Sequence, residues 1–111
     1  MEAQVHNIFN LNTPKSFTED EAYKLLNLLY IVTTKAKNKI QGLTSQMEFH
    51  KAIPEQAQAY ETMINTEIQK WSEKVRRLGG TPMALYQVKV PTEGGFYFWD
   101  FPKVELELHL D

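Results

Sequence analysis

Glu105, Glu107 and His109 stand at alternate positions close to the end of the chain. On an extended strand such residues share one face at intervals of about 7 Å. Two carboxylates and an imidazole in a row are ligand types that a weak divalent-metal site uses, given further ligands. The plainer reading is a charged face that protects a sheet edge from pairing with other chains. Trp99, Asp100 and His109 form a second group, an aromatic ring with a carboxylate and an imidazole, suited to a small polar ligand. Its plainer reading gives Trp99 to packing, Asp100 to the turn before Pro102 and His109 to solvent. The third group is basic: Lys35, Lys37, Lys39, Lys70, Lys74, Arg76 and Arg77. Segment 35–77 holds eight Lys/Arg against five Asp/Glu, and the rest of the chain four against nine. Such a cluster suits nucleic acid or an acidic partner. Glu67 and Glu73 interrupt it, however, and solvated helix faces have the same composition.

Other chemistries are excluded by what the chain lacks. With no cysteine there is no disulfide, thiol nucleophile or Cys-based metal centre. The three histidines, at 6, 50 and 109, are too dispersed for a local His-rich metal motif. Gly79-Gly80 and Gly94-Gly95 match neither the P-loop nor the dinucleotide pattern, and no Ser/His/Asp triad follows from spacing. No catalytic residue, metal or cofactor is therefore expected. A net charge of −2 argues against strong nucleic-acid binding. No apolar run approaches the ~18 residues of a membrane span. Met1-Glu-Ala-Gln-Val-His lacks the basic and apolar regions of a secretory signal, so a cytoplasmic location is expected.

The elements that must position these residues follow from periodicity. Residues 1–16 read as an irregular arm, apolar enough at Val5, Ile8, Phe9 and Leu11 to lie partly against a core. Thr18 and Glu21 form a capping-box pair, with Phe17 before it, and open a helix expected over 18–51. Leu29, Val32, Ala36, Ile40, Leu43, Met47 and His50 recur at steps of three or four along one face. Pro54 suits the first position of a second helix, expected over 54–78. Its seam is Ala57, Tyr60, Ile64, Ile68, Trp71, Val75 and Leu78, and Gly79-Gly80-Thr81-Pro82 stops it. Two such seams joined by a tight corner make an antiparallel helical hairpin, with His50 and Tyr60 flanking the corner.

After the double glycine the period changes from 3.6 to 2. Tyr86, Val88 and Val90 alternate with Leu85, Gln87 and Lys89, and Phe96–Phe101 is apolar on both faces, as a central strand is. Val104, Leu106, Leu108 and Leu110 alternate with Lys103, Glu105, Glu107 and His109. The spacing predicts a three-stranded antiparallel meander over 84–110. The helices would be ~51 and ~38 Å long, so the first overhangs the second at its N-terminal end. That end is apolar on more than one face, and must be covered on more than one face. The meander is therefore expected on the N-terminal half of the first helix, with Leu28 near Leu78. The whole is an α+β fold in a single domain, 1–111.

Two segments resemble a known family. Phe17-Thr18-x-x-Glu21-Ala22-x-x-Leu25-Leu26, continuing to Ile31-x-Thr33-x-x-Ala36, is one; Gly95-x-Tyr97-x-Trp99-x-x-Pro102, followed by His109, is the other. With a long charged helical pair between them they are similar to the uncharacterised prokaryotic domain-of-unknown-function family 2203. The resemblance implies a fold and brings no reaction with it.

The expected role is a protein–protein interaction module, a homo-oligomer or the binder of another protein, self-associating through the hairpin in coiled-coil fashion. Its motive is surplus apolar surface at Met47, Phe49, Ile53, Tyr60, Met63 and Ile64. The alternative is a ligand-binding or enzymatic domain with its site between sheet and first helix, lined by Tyr23, Tyr86, Tyr97, Trp99, Asp100 and His109.

Overall fold

The computed structural model describes residues 16–111, so the arm expected over 1–16 lies, but for Ser16, outside the described residues. Helix α1 (Glu19–Phe49) begins where its local chemistry requires. Thr18 Oγ1 accepts from the Glu21 N–H at 3.2 Å, and Glu21 Oε1 accepts from the Thr18 N–H at 3.0 Å. Glu19, Asp20 and Glu21 place negative charge on the positive end of the helix dipole. Helix α2 (Pro54–Leu78) ends at Gly79, whose φ of 106° is left-handed and whose N–H returns to the Arg76 carbonyl. Glycine is required there twice over, because a Cβ would lie 2.7 Å from Phe17 Cζ.

Phe17 fastens three elements at one point. Its ring is buried against that glycine. Its N–H donates to the Pro91 carbonyl at 2.8 Å, and its own carbonyl accepts from Thr92 Oγ1 at 2.6 Å. The start of α1, the end of α2 and the sheet are thereby held together.

The sheet has the order β1 (Thr81–Pro82), β2 (Gln87–Thr92), β3 (Gly95–Asp100), β4 (Glu107–Leu110), and every pairing is antiparallel. The expected hairpin-plus-meander architecture is observed, with one correction: there are four strands, not three. Two residues, one of them proline, give β1 no readable period, and it exists because the chain leaving Gly80 runs back along β2. Val88 pairs with Trp99 and Val90 with Tyr97, and all four side chains are buried. They close on Ala22, Leu25, Leu26 and Leu29 of α1 and on Trp71 and Val75 of α2. The sheet thus packs on the N-terminal half of α1, where the hairpin's two long ends meet.

Three local expectations are corrected. Tyr86 lies before β2 with a φ of 67°, not within a strand. Leu28, at an end of α1 expected to be covered on more than one face, is 49% exposed: a sheet covers one stripe, and Leu25, Leu26 and Leu29 occupy it. The last strand is shorter than its alternation suggests, and its apolar side is open, with Leu110 70% exposed. Strand β4 is the sheet edge and overhangs the core, to which only Leu106, in the preceding loop, contributes.

No helix among the described residues is long and apolar enough to cross a membrane. The described chain measures 58 × 35 × 23 Å.

Candidate functional site

The six side chains expected to line a ligand site are divided between surroundings. Tyr97 and Trp99 point into the core, and the Trp99 indole N–H donates to the Lys103 carbonyl at 2.6 Å, closing the loop around the cis Phe101–Pro102 peptide. Asp100 lies on the opposite face of β3 by strand alternation, and its Oδ1 accepts from Gln87 Nε2 at 3.5 Å. His109 pairs in register with Phe96 on that outer face, stacks on its ring at 4.9 Å, and meets Glu107 Oε1 at 2.8 Å. Tyr86 contacts Trp71 and Phe101 edge-on or tilted, 6.0 and 6.1 Å between centroids. Burial pushes its phenol above the ordinary tyrosine range. Tyr23 is apart from all of these, its hydroxyl accepting from the Leu106 N–H at 3.2 Å.

Of the six, Tyr23 alone borders a cleft between α1 and the loop before β4. The cleft encloses about 400 Å³, and its other walls are Leu26, Asn27, Tyr30, Ile31 and Val104. It is mostly apolar and carries no titratable group except the Tyr23 and Tyr30 phenols. Its best sequence signal is Ile31, an apolar residue off the helix seam. Among the described residues no group of three His, Asp or Glu is placed to hold a metal ion, the Glu105–Glu107–His109 run included.

The basic residues also separate. Lys37 lies over the Phe101 ring at 5.4 Å, and Arg76 borders another groove with Glu73. Lys35, Lys39, Lys70 and Lys74 converge on a groove between the helices. Glu67 sits among them with its side chain only 14% exposed. Desolvation pushes its carboxyl up, but hydrogen bonds and charge from Lys39 and Lys70 outweigh this and hold it below the usual carboxylate range. Glu67 reads in sequence as an interruption of positive charge; its register opposite Lys39 makes it the centre.

Among the described residues, none between 37 and 70 contributes to the core shared with the sheet. Leu29, Trp71 and Val75 are sealed in the core shared with the sheet, and Ile40 is buried between the helices, whereas Leu43, Met47, Tyr60 and Ile64, on the same two seams, are only half-buried. At the corner His50 stacks on Tyr60 at 5.4 Å, and Phe49 stands 81% exposed. Ile53, also at the corner, is exposed, as is Met63 farther along α2, which shares a shallow surface pocket with Leu43, Lys39 and Glu67.

Comparison of the chain with protein-family models, with curated proteins and with solved structures finds no match.

Proposed function

We propose that the protein is an interaction module whose distal hairpin, residues 40–65, pairs with a second copy of itself. The observation that carries this is the seam distal to the described sheet, where Ile40 is buried but Leu43, Met47, Tyr60 and Ile64 are only half-buried and Phe49, Ile53 and Met63 are exposed. Two helices cover each other along a single stripe, and a four-helix arrangement is the usual way to close the remaining sides. A twofold pair needs only one self-complementary patch. The distal segment suits one, since residues 40–65 hold three Glu and one Lys among many uncharged polar residues, and interface cores are depleted in charge. The 3-4 spacing of both seams gives the pairing a coiled-coil character. A cytoplasmic setting and membership of the domain-of-unknown-function family 2203, supported by the Phe17–Leu26 and Gly95–Pro102 motifs, belong to the same reading.

Sedimentation equilibrium tests it. The full chain is expected to approach dimer mass at high micromolar concentration. Phe49→Glu combined with Met63→Glu is expected to return it to monomer without unfolding, because both side chains already face solvent. A strict monomer at that concentration overturns the reading.

The cleft at Tyr23 favours a second reading, a small apolar ligand between α1 and the loop before β4. Its volume of about 400 Å³ falls in the range of ligand pockets. Binding of an apolar fluorescent dye, lost in Ile31→Asp, would support it; a dye signal indifferent to that substitution would remove it.

A further inference from the structure

The groove midway along the hairpin adjoins the segment proposed to pair, sharing Lys39 and Glu67 with the surface at Leu43 and Met63. Lys35 and Lys39 reach it from α1 and Lys70 and Lys74 from α2, with Trp71 and Glu67 also in its wall, around about 220 Å³. Glu67 is the only acid lining it. A single atom, Glu67 Oε2, serves both Lys39 at 3.2 Å and Lys70 at 3.3 Å. Lys35 and Lys74 have no acidic partner among the described residues. Four lysines therefore line the groove with one carboxylate among the described residues. Each helix contributes its pair at an i, i+4 step, where like charges repel. That arrangement costs stability, and neither Lys35 nor Lys74 makes an ion pair or side-chain hydrogen bond with the described residues in return.

We propose that this groove binds a compact polyanion of the di- or triphosphate class. Lys35 and Lys74 supply free ammonium donors, and Lys39 and Lys70 turn from Glu67 toward the ligand. Lysine serves phosphate as a mobile point charge, so four of them accommodate oxygens without fixed geometry. Trp71 contributes a rigid wall and no donor, because its indole N–H is already given to Thr33 Oγ1 at 2.8 Å. The dimensions set the ligand's size. An i, i+4 step covers about 6 Å of helix axis, the reach of two or three linked phosphates. A long nucleic acid would extend onto the rest of the chain, where nine acids oppose four bases.

Isothermal titration of the full chain with inorganic tripolyphosphate at low ionic strength tests this, with sulfate and a short DNA duplex as parallel arms. One tripolyphosphate per chain is expected, bound more tightly than either. Lys35→Gln combined with Lys74→Gln should weaken it about tenfold or more, as loss of two charge-assisted contacts requires. Glu67→Gln should strengthen it, by releasing two lysines from an internal competitor. The Trp71 indole N–H resonance of the unaltered protein gives a readout independent of any variant, and should shift on titration. A silent indole resonance, an affinity indifferent to the double lysine change, or weaker binding in Glu67→Gln overturns the proposal. Sulfate binding as tightly as tripolyphosphate does so too, and tighter binding of the duplex would make the groove a nucleic-acid surface instead.

Discussion

The Trp71 indole donates to Thr33 Oγ1 at 2.8 Å, joining the helices through a hydrogen bond between two buried side chains. Each group exists inside the protein only because the other is there. Thr33→Val keeps the shape and removes the acceptor, leaving a buried N–H without a partner, which costs about 1–3 kcal/mol. Thr33→Ser retains the hydroxyl and is expected to lose less. Urea denaturation of the two variants measures the difference; equal losses would show that methyl packing, not the bond, matters at this position.

Glu67 gives the protein an acid-sensitive element. Its carboxyl is desolvated, yet Lys39 and Lys70 bring it below the ordinary value of 4.5. The unfolded chain therefore binds this proton more readily than the folded one. The stabilisation is whole above the unfolded pKa and is lost as pH falls through the folded one. Below about pH 4.5 the melting temperature of wild type should fall more steeply than that of Glu67→Gln. Parallel curves for the two proteins would remove Glu67 from acid unfolding.

Tyr86 has the opposite sign. Burial raises its phenol above the ordinary 10.0, so ionisation is harder in the folded chain. Its contribution is whole below the unfolded pKa and declines as pH rises above it. Tyr86→Phe should lessen the loss of stability on the alkaline side while leaving neutral pH within about 0.5 kcal/mol. An alkaline limb unchanged by the substitution would place its cause elsewhere.

At Gly95 backbone meets backbone. A Cβ there would run into the His109 carbonyl oxygen and lie 2.9 Å from Leu110 Cα. Neither neighbour is a flexible side-chain tip, so Gly95→Ala must displace β4, at a cost of about 1–3 kcal/mol. Hydrogen exchange should show the amides of β4 exposed while those of α1 and α2 stay protected. Protection retained along β4 would mean that the strand shifts without separating.

The sequence announces interactions local to one element better than those that depend on what lies opposite. Thr18 and Glu21 cap α1 as their spacing requires, and the residues of both seams, from Leu29 to His50 and from Ala57 to Leu78, are all buried or half-buried. Period alone finds such positions, because a helix repeats itself. Leu28, Ile31 and Leu110 look equally apolar, but whether they are covered depends on the width of a sheet defined some sixty residues later, or on lying at its edge. The six expected ligand residues share type along the sequence, but strand alternation separates Trp99 from Asp100. The convergence of Lys35, Lys39, Lys70 and Lys74 was half legible: antiparallel register brings the segments together, but helical phase sends Lys37 to Phe101 and Arg76 elsewhere.

The order of the elements along the chain bears on its birth. Tyr97 and Trp99, which shelter Leu25, Leu26 and Leu29, are translated about seventy residues after them. A growing chain must therefore carry that oily face uncovered through most of its synthesis, and it is closed only when β3 leaves the ribosome. Ribosome-associated chaperones would meet this protein at its first helix, and would be displaced by its own last strands.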